Sequence, residues 1–310
     1  MTTLLHFLAR LPLPVLQLLA RMVAVLLNLM PNTGMRWIVR VNMLLAMPHL
    51  SHQQRDRLER ASVSSQCMTA LESIKCWGMP PQYSIEQIKD VHGFEVLQAA
   101  LANAKGMIAV VPHLGTWEMM NAWLNQFGAP VIMYKPAENA DLNTFMLGAR
   151  QRLNATLVPT DESGVRAIFK TLKQGGFTIV LPDHVPETSG GIYVPFFGIE
   201  TLTSTLVSKL AQKTGCAVIG LSCLRRADGT GFDVYCDPLA SEINDRQVDL
   251  ASSVTALNHS MQQMITRAPE QYVWGYRRFK KATGLDGIYR MSAQQITQRQ
   301  TEYDSPKNQI

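Results

Sequence analysis

Apolar and polar positions recur along the chain with two different periods, and the switches between them mark out the predicted elements. Leu11 to Met30 reads LPLPVLQLLARMVAVLLNLM, an apolar rod in which Arg10, Gln17, Arg21 and Asn28 recur at steps of seven, four and seven. On a helix those steps gather the polar side chains within about 40°. Pro12 and Pro14 shorten the rod to about 17 residues, the lower limit for crossing a bilayer, and interfacial helices normally carry a broader charged face. The pattern predicts an N-terminal apolar membrane-associating helix, spanning or monotopic, with a buried hairpin against TGMRWIVRVNMLLAMP as the alternative. Ser51 and Gln54 form a capping box that opens a helix running to Trp77, stopped by Gly78 ahead of Pro80 and Pro81. GFEVLQAALANAKG predicts a short helix ending at Gly106. Strand-length apolar runs then alternate with helical stretches: MIAVV, a helix after Thr116, PVIMYK, a helix around Asn143 to Leu153, ATLVP, a helix around Gly164 to Lys173, and FTIVLPD. A helix from Ser204 to Lys213, AVIGLSCL, FDVYC and an amphipathic stretch from Asp249 to Arg267 complete the series. This predicts an α/β fold, a mainly parallel or mixed sheet flanked by helices. Three regions result: a membrane-associating helical segment over 1–48, an α/β domain over 49–281, and a polar, poorly ordered tail over 282–310.

Composition narrows the class. With 310 residues, 46% of them hydrophobic, the chain buries a sizeable core and is not disordered. A net charge of +5 favours anionic partners, among which charge alone does not separate nucleic acid, anionic lipid and an acidic carrier protein. Five cysteines without a CxxC pair read as reduced thiols. No cleavage-like site follows the apolar rod. Arg36, Arg40, Arg55, Arg57 and Arg60 come after it, which leaves the body of the protein on the cytoplasmic side.

The candidate chemistry sits in VVPHLGTWEMMNAW, where MIAVV gives way to a helix with Thr116 in the N-cap position. A spacing of five on one continuous helix would turn His113 and Glu118 about 140° apart. With the helix starting between them, His113 ends a strand and Glu118 lies in the first helical turn, where open α/β sheets bind their ligands. That pairing suits a general base held by a carboxylate, set against the plain alternative of a structural histidine near a surface glutamate. G-x-S-x-G is missing, and so are H-E-x-x-H and other clustered ligand spacings, so neither a serine nucleophile nor a metal is expected. Asp183 and His184 end FTIVL and are expected either to line the same sheet edge or to form an ordinary strand-end turn. Lys135, Arg150 and Arg152 follow the catalytic strand, and a helical segment would turn Arg150 and Arg152 different ways. Arg277, Arg278, Lys280 and Lys281 form a basic cluster that meets phosphate, an acidic carrier or only solvent.

Several ordered blocks resemble one family. GMIAVVPHLGTWE, YKPAEN at Tyr134 to Asn139, RQR at Arg150 to Arg152, LPDH at Leu181 to His184, VPFFG at Val194 to Gly198 and APEQYVWGYRRFK at Ala268 to Lys280, behind an apolar N-terminus, are similar to the bacterial late acyltransferases of lipid A assembly. The resemblance runs to about Lys280. It implies a His113–Glu118 catalytic dyad, with glutamate where many lauroyl-type members carry aspartate. Lys135, Arg150, Asp183, His184, Arg277 and Arg278 become substrate-binding candidates. The implied reaction is direct acyl transfer from acyl carrier protein to a hydroxyl on a 3-hydroxyacyl chain of a lipid A precursor, at the cytoplasmic face of the inner membrane. It needs no cofactor beyond the thioester, and the partners are acyl carrier protein, the lipid A precursor and membrane phospholipids, not nucleic acid. Alternatives are acylation of another glycolipid or a lysophospholipid from acyl-CoA, thioester hydrolysis, and a non-catalytic membrane lipid-binding protein.

Overall fold

The computed structural model describes residues 2–30 and 34–303. In chain order the strands are β1 (Ile88–His92), β2 (Met107–Val110), β3 (Val131–Met133), β4 (Thr156–Val158), β5 (Phe177–Val180), β6 (Gly191–Phe196), β7 (Ile199–Ser204), β8 (Ala217–Arg225) and β9 (Phe232–Pro238). The helices are α1 (Thr2–Arg10), α2 (Leu13–Asn28), α3 (Gly34–Ala46), α4 (His52–Gly78), α5 (Pro81–Gln87), α6 (Phe94–Leu101), α7 (Trp117–Leu124), α8 (Ala140–Gln151), α9 (Glu162–Lys173), α10 (Leu206–Thr214), α11 (Leu250–Arg267) and α12 (Ala293–Tyr303). Seven strands form one sheet in the order β1-β9-β8-β2-β5-β3-β4, parallel at every pairing except β8 with β9. The expected mixed α/β sheet with flanking helices is therefore present. The hairpin β6–β7 and the short β1 are additions to the expected elements; the hairpin turns at Phe197 and Gly198, both at positive φ, as a tight two-residue turn requires.

The strand period decides which helices cover the sheet. Ile108 and Val110 of β2 point to one face, packed by Ile168, Leu172, Leu210 and Met261, while Met107, Ala109 and Val111 point to the other, packed by Leu97, Met120 and Trp123. A run buried on both faces has no polar positions to alternate with, which is why MIAVV reads as continuous. The capping box at the start of α4 is formed: the Ser51 hydroxyl accepts from the Gln54 amide, and the Gln54 side chain accepts from the Ser51 amide.

At the N-terminus α1 and α2 meet at a bend of 118°, and no single helix among the described residues is long and apolar enough to cross a membrane. Both lie against α4. The Lys75 ammonium donates to the Ala9 and Leu11 carbonyls at 2.9 and 2.6 Å, filling the acceptors left open where α1 ends. Within the expected polar stripe Gln17 turns inward and is buried, whereas Phe7, Leu18, Met22, Leu26 and Leu29 are 57–73% exposed.

The tail departs from its expected disorder through Tyr303, because sparse apolar residues anchor it. Ala282, Leu285, Ile288 and Ile296 are buried in the main core, Trp37 Nε1 donates to the Tyr289 carbonyl at 3.0 Å, and the Tyr289 hydroxyl donates to Asn42 at 2.5 Å. Residues 304–310 of the expected tail lie outside the described residues.

Candidate active site

Two neighbouring strand ends assemble the centre of the site. β2 and β5 are parallel, with Val110 paired to Val180, and His113 and Asp183 each follow three residues later. The register therefore brings together residues 70 apart in sequence. The connection from β2 passes beyond β5 to β3 by way of α7 on one face, and the next strand of this sheet after β5 is β8, beyond β2, reached by way of α10 on the other face, so the two connections leave for opposite faces at the strands' carboxyl ends. Gly115 makes the turn possible. Its φ of +65° suits glycine, and a Cβ there would lie 2.0 Å from the Cys223 carbonyl oxygen. That oxygen accepts from the Thr116 amide at 2.8 Å, and the Gly115 amide donates to the Gln271 carbonyl at 2.9 Å.

Asp183, fully buried, grips His113 twice. Oδ2 accepts from the His113 amide at 3.0 Å, and Oδ1 is 2.8 Å from Nδ1 of the ring. Burial alone would raise the Asp183 pKa. The His113 ring, by charge and hydrogen bond, and His184 outweigh burial and hold it well below the usual carboxylate range. An ionised Asp183 accepts Nδ1–H and leaves Nε2 as the basic nitrogen. The buried Tyr272 hydroxyl also bonds Asp183, and burial beside that anion pushes the phenol well above its ordinary value. His184 stacks on His113 with ring centroids 3.9 Å apart, and Tyr276 stacks on the far face of His184 at 3.7 Å. Trp117 meets His113 edge-on at 5.0 Å. Burial, then the neighbouring His113, pulls the His184 pKa down to about 4 against the opposing charge of Asp183, with Arg278 and Lys280 adding to the fall. His184 is thus a neutral stacking plate at neutral pH.

Glu118 holds a different partner from the one its spacing suggested. Its carboxylate accepts from Arg150 at 3.1 Å and from Asn121 at 3.1 Å. The side chain that bonds the imidazole is Asp183, because a carboxylate in register on the adjacent strand reaches Nδ1 while Glu118 is turned to Arg150 by the start of α7. Arg150 leans over the Tyr134 ring at 5.0 Å and lies in the last turn of α8, whereas Arg152 is exposed and donates to the Trp77 carbonyl. His113, Glu118, Arg150, Lys135 and His184 all line one cavity of about 920 Å³, at the upper end of the roughly 300–1,000 Å³ usual for ligand sites. Its other walls are largely apolar, among them Ile74, Trp77, Leu142 and Met146.

The basic cluster at the C-terminal end divides. Arg278, in the cluster expected to meet phosphate, an acidic carrier or only solvent, is 1% exposed and donates to the Leu202 carbonyl at 3.0 Å and to Thr203 Oγ1 at 2.8 Å, beneath the Phe196 ring. It ties the β6–β7 hairpin to the core. Arg277 is exposed over the Tyr289 ring and lies outside the cavity lining. Tyr272 and Tyr276 were not singled out from the sequence; they stand in the APEQYVWGYRRFK block, where only the cations drew attention.

His113, Asp183 and His184 also bring possible ligand atoms within 4.8 Å of one another, a grouping their separation in sequence concealed. The imidazole planes are parallel to within 3°, so their in-plane lone pairs do not converge on one ion. All five thiols are free, and burial raises every one of them above its ordinary pKa, which disfavours thiolate attack.

The sequence is similar to those of known acyltransferases. The chain is 28% identical over 247 residues to a lipid A biosynthesis lauroyltransferase of Escherichia coli (strain K12), covering 78% of each protein. It is 26% identical over 254 residues to a lipid A biosynthesis palmitoleoyltransferase of the same strain, covering 81% of each. A phosphatidylinositol mannoside acyltransferase of Mycolicibacterium smegmatis is 29% identical over 184 residues, 58% of this chain and 60% of that protein. Residues 1–281 match the family model described as bacterial lipid A biosynthesis acyltransferase, and the chain belongs to that family.

Proposed function

We propose that the protein transfers a fatty acyl chain from acyl carrier protein to a hydroxyl of a 3-hydroxyacyl chain on a lipid A precursor, with His113 as general base. The observation that carries this reading is the Asp183-held imidazole on the wall of a large, mainly apolar cavity that also holds Arg150 and Lys135. The acceptor hydroxyl gives its proton to His113 Nε2 as its oxygen attacks the thioester carbonyl carbon. The tetrahedral oxyanion collapses, the C–S bond breaks, and the leaving thiolate takes the proton back from Nε2. Such a base contributes ~10²–10⁴ in rate. Asp183 fixes the tautomer and stabilises the imidazolium. Glu118 holds Arg150, whose guanidinium faces either the developing oxyanion or a lipid phosphate. The high thiol pKa values support direct transfer without an acyl-enzyme.

The exposed apolar face of α1 and α2 supports seating at the cytoplasmic face of the inner membrane, the two helices lying in the interface. Leu18→Ser, Met22→Ser and Leu26→Ser together should lower binding to phospholipid vesicles while the fold is kept; unchanged binding would place the attachment elsewhere.

Mass spectrometry of lipid A precursor incubated with the protein and acyl carrier protein loaded with mixed chain lengths tests the reaction. One acyl mass added, and none added by His113→Ala, is the expected result. Free fatty acid released at full rate without acceptor would mark a hydrolase. Similarity to a phosphatidylinositol mannoside acyltransferase favours a second glycolipid acceptor class, so transfer to that glycolipid alone, or from acyl-CoA alone, would replace the acceptor or donor assigned here.

A further inference from the structure

Beneath the catalytic turn lies a second charged centre that the reaction does not touch. Glu72, fully buried in α4, receives four hydrogen bonds. Oε1 accepts from Gln17 Nε2 at 2.9 Å and Arg225 Nε at 2.7 Å; Oε2 accepts from Arg225 Nη2 at 2.6 Å and Thr116 Oγ1 at 2.6 Å. Arg225, at the end of β8, also reaches Ser65 Oγ and Thr69 Oγ1 at 3.2 Å each. Its backbone is clasped by Gln271, which accepts from the Arg225 amide at 2.9 Å and donates to its carbonyl at 3.0 Å. The Gln271 carbonyl in turn accepts from Gly115, and the Val273 amide donates to the His113 carbonyl at 3.0 Å. One ion pair therefore anchors the turn from His113 to Thr116 to α4, β8 and the segment after α11, and through Gln17 to α2.

Thr116 reveals what this centre is for. It occupies the N-cap position of α7, where a threonine hydroxyl ordinarily accepts from the amides of the first turn. Here it makes no such bond, and its hydroxyl is donated to Glu72. The helix that begins four residues after the base is thus fixed by a buried carboxylate rather than by its own cap. A buried charge pair is a poor way to gain stability, since well-packed apolar residues serve as well or better, but it does fix one arrangement of its donors.

We propose that Glu72, held by Arg225, is a positioning residue that acts through Thr116 to set the His113 turn; this rests on the acyl-transfer reading for its kinetic readout. The test is Thr116→Val, which keeps the shape and removes the hydroxyl, with Thr116→Ser as the conservative rescue. A displacement of order 1 Å costs up to about 10²-fold in rate. Thr116→Val is expected to lower kcat about 10- to 100-fold with KM for the acyl donor changed less than about threefold, and Thr116→Ser to recover wild-type kcat within about threefold. The paired replacement of Glu72→Met with Arg225→Met should show the same kcat loss, without leaving one charge uncompensated. The Nδ1–H proton resonance of His113 supplies a readout independent of any acceptor: it should shift in Thr116→Val and stay in place in Thr116→Ser. If the wild-type protein transfers no acyl group, the functional reading fails and the resonance alone decides the positioning role. Wild-type kcat in Thr116→Val, an unmoved resonance, or equal losses in Thr116→Ser would each overturn the proposal.

Discussion

Replacing Asp183 by asparagine removes one charge and leaves the shape of the site nearly intact. The buried carboxylate accepts from the His113 amide at 3.0 Å, from ring Nδ1 at 2.8 Å, and from Tyr272. Asparagine offers one acceptor and a donor, so the amide and Nδ1–H cannot both be met as they are now. In the proposed reaction that lost charge stabilises the imidazolium formed on His113. Two unit charges about 4 Å apart at an effective dielectric of 20 attract by ~4 kcal/mol, which is about three powers of ten in rate. Tautomer loss adds to that, and the corresponding change in a serine-protease triad costs about 10⁴. Asp183→Asn should therefore lower kcat by ~10³–10⁴, measured as acyl mass gained per unit time by the lipid acceptor. Combined with His113→Ala it should cost little more than His113→Ala alone, because the two act as one unit. A loss below about tenfold, or additive losses, would refute Asp183 as the orienting carboxylate.

Glu118→Ala and Arg150→Ala should each reduce turnover strongly and the double variant little further, whereas Arg152→Ala should have a small effect; equal small effects across all three would remove Arg150 from the site. His184 gives stability a pH dependence of definite sign. The unfolded chain binds its proton near pH 6.5 and the folded chain only near 4, so its neutral burial contributes fully above 6.5. That contribution, at most about 3 kcal/mol, is lost as pH falls from about 6.5 to about 4; urea midpoints of wild type and His184→Phe across that window should diverge, and parallel curves would count against it. Gly115→Ala places a Cβ 2.0 Å from the Cys223 carbonyl oxygen and forces alanine to a φ of +65°. It should destabilise by more than ~2 kcal/mol and reduce turnover further, as read by thermal unfolding alongside the transfer assay.

Much of the sheet is legible because β2, β5 and β8 are apolar on both faces and flanked by glycine or proline. β1, IKDVH, mixes charges into five residues at a sheet edge, and β6–β7 forms a separate hairpin whose register depends on a turn at Phe197 and Gly198. At the site, His113 is visible at a strand-to-helix junction, and Asp183 at the end of another apolar run. Their bond was not visible, since it follows from the adjacency of β2 and β5, which spacing along one chain does not encode. Glu118 was near in sequence and was paired with His113 for that reason, whereas in the fold its carboxylate is bonded to Arg150 and Asp183 is bonded to the ring. Glu72 is harder still: in QCMTALESIK it looks like any solvated helix carboxylate, and only the docking of α2, β8 and the catalytic turn buries it.

The three stacked rings come from positions 113, 184 and 276, and this separation gives the site an order in time. At ~5–20 residues per second, the chain between His113 and Tyr276 takes roughly ten to thirty seconds to synthesise. During that interval the apolar N-terminal segment has already been made, but His113 lacks the segment that clasps its turn and the ring that stacks behind His184. A ribosome stalled before codon 276 would thus carry a nascent chain with its apolar N-terminal segment complete and its ring stack unfinished, so on the proposed function any attachment through that segment would precede the chemistry.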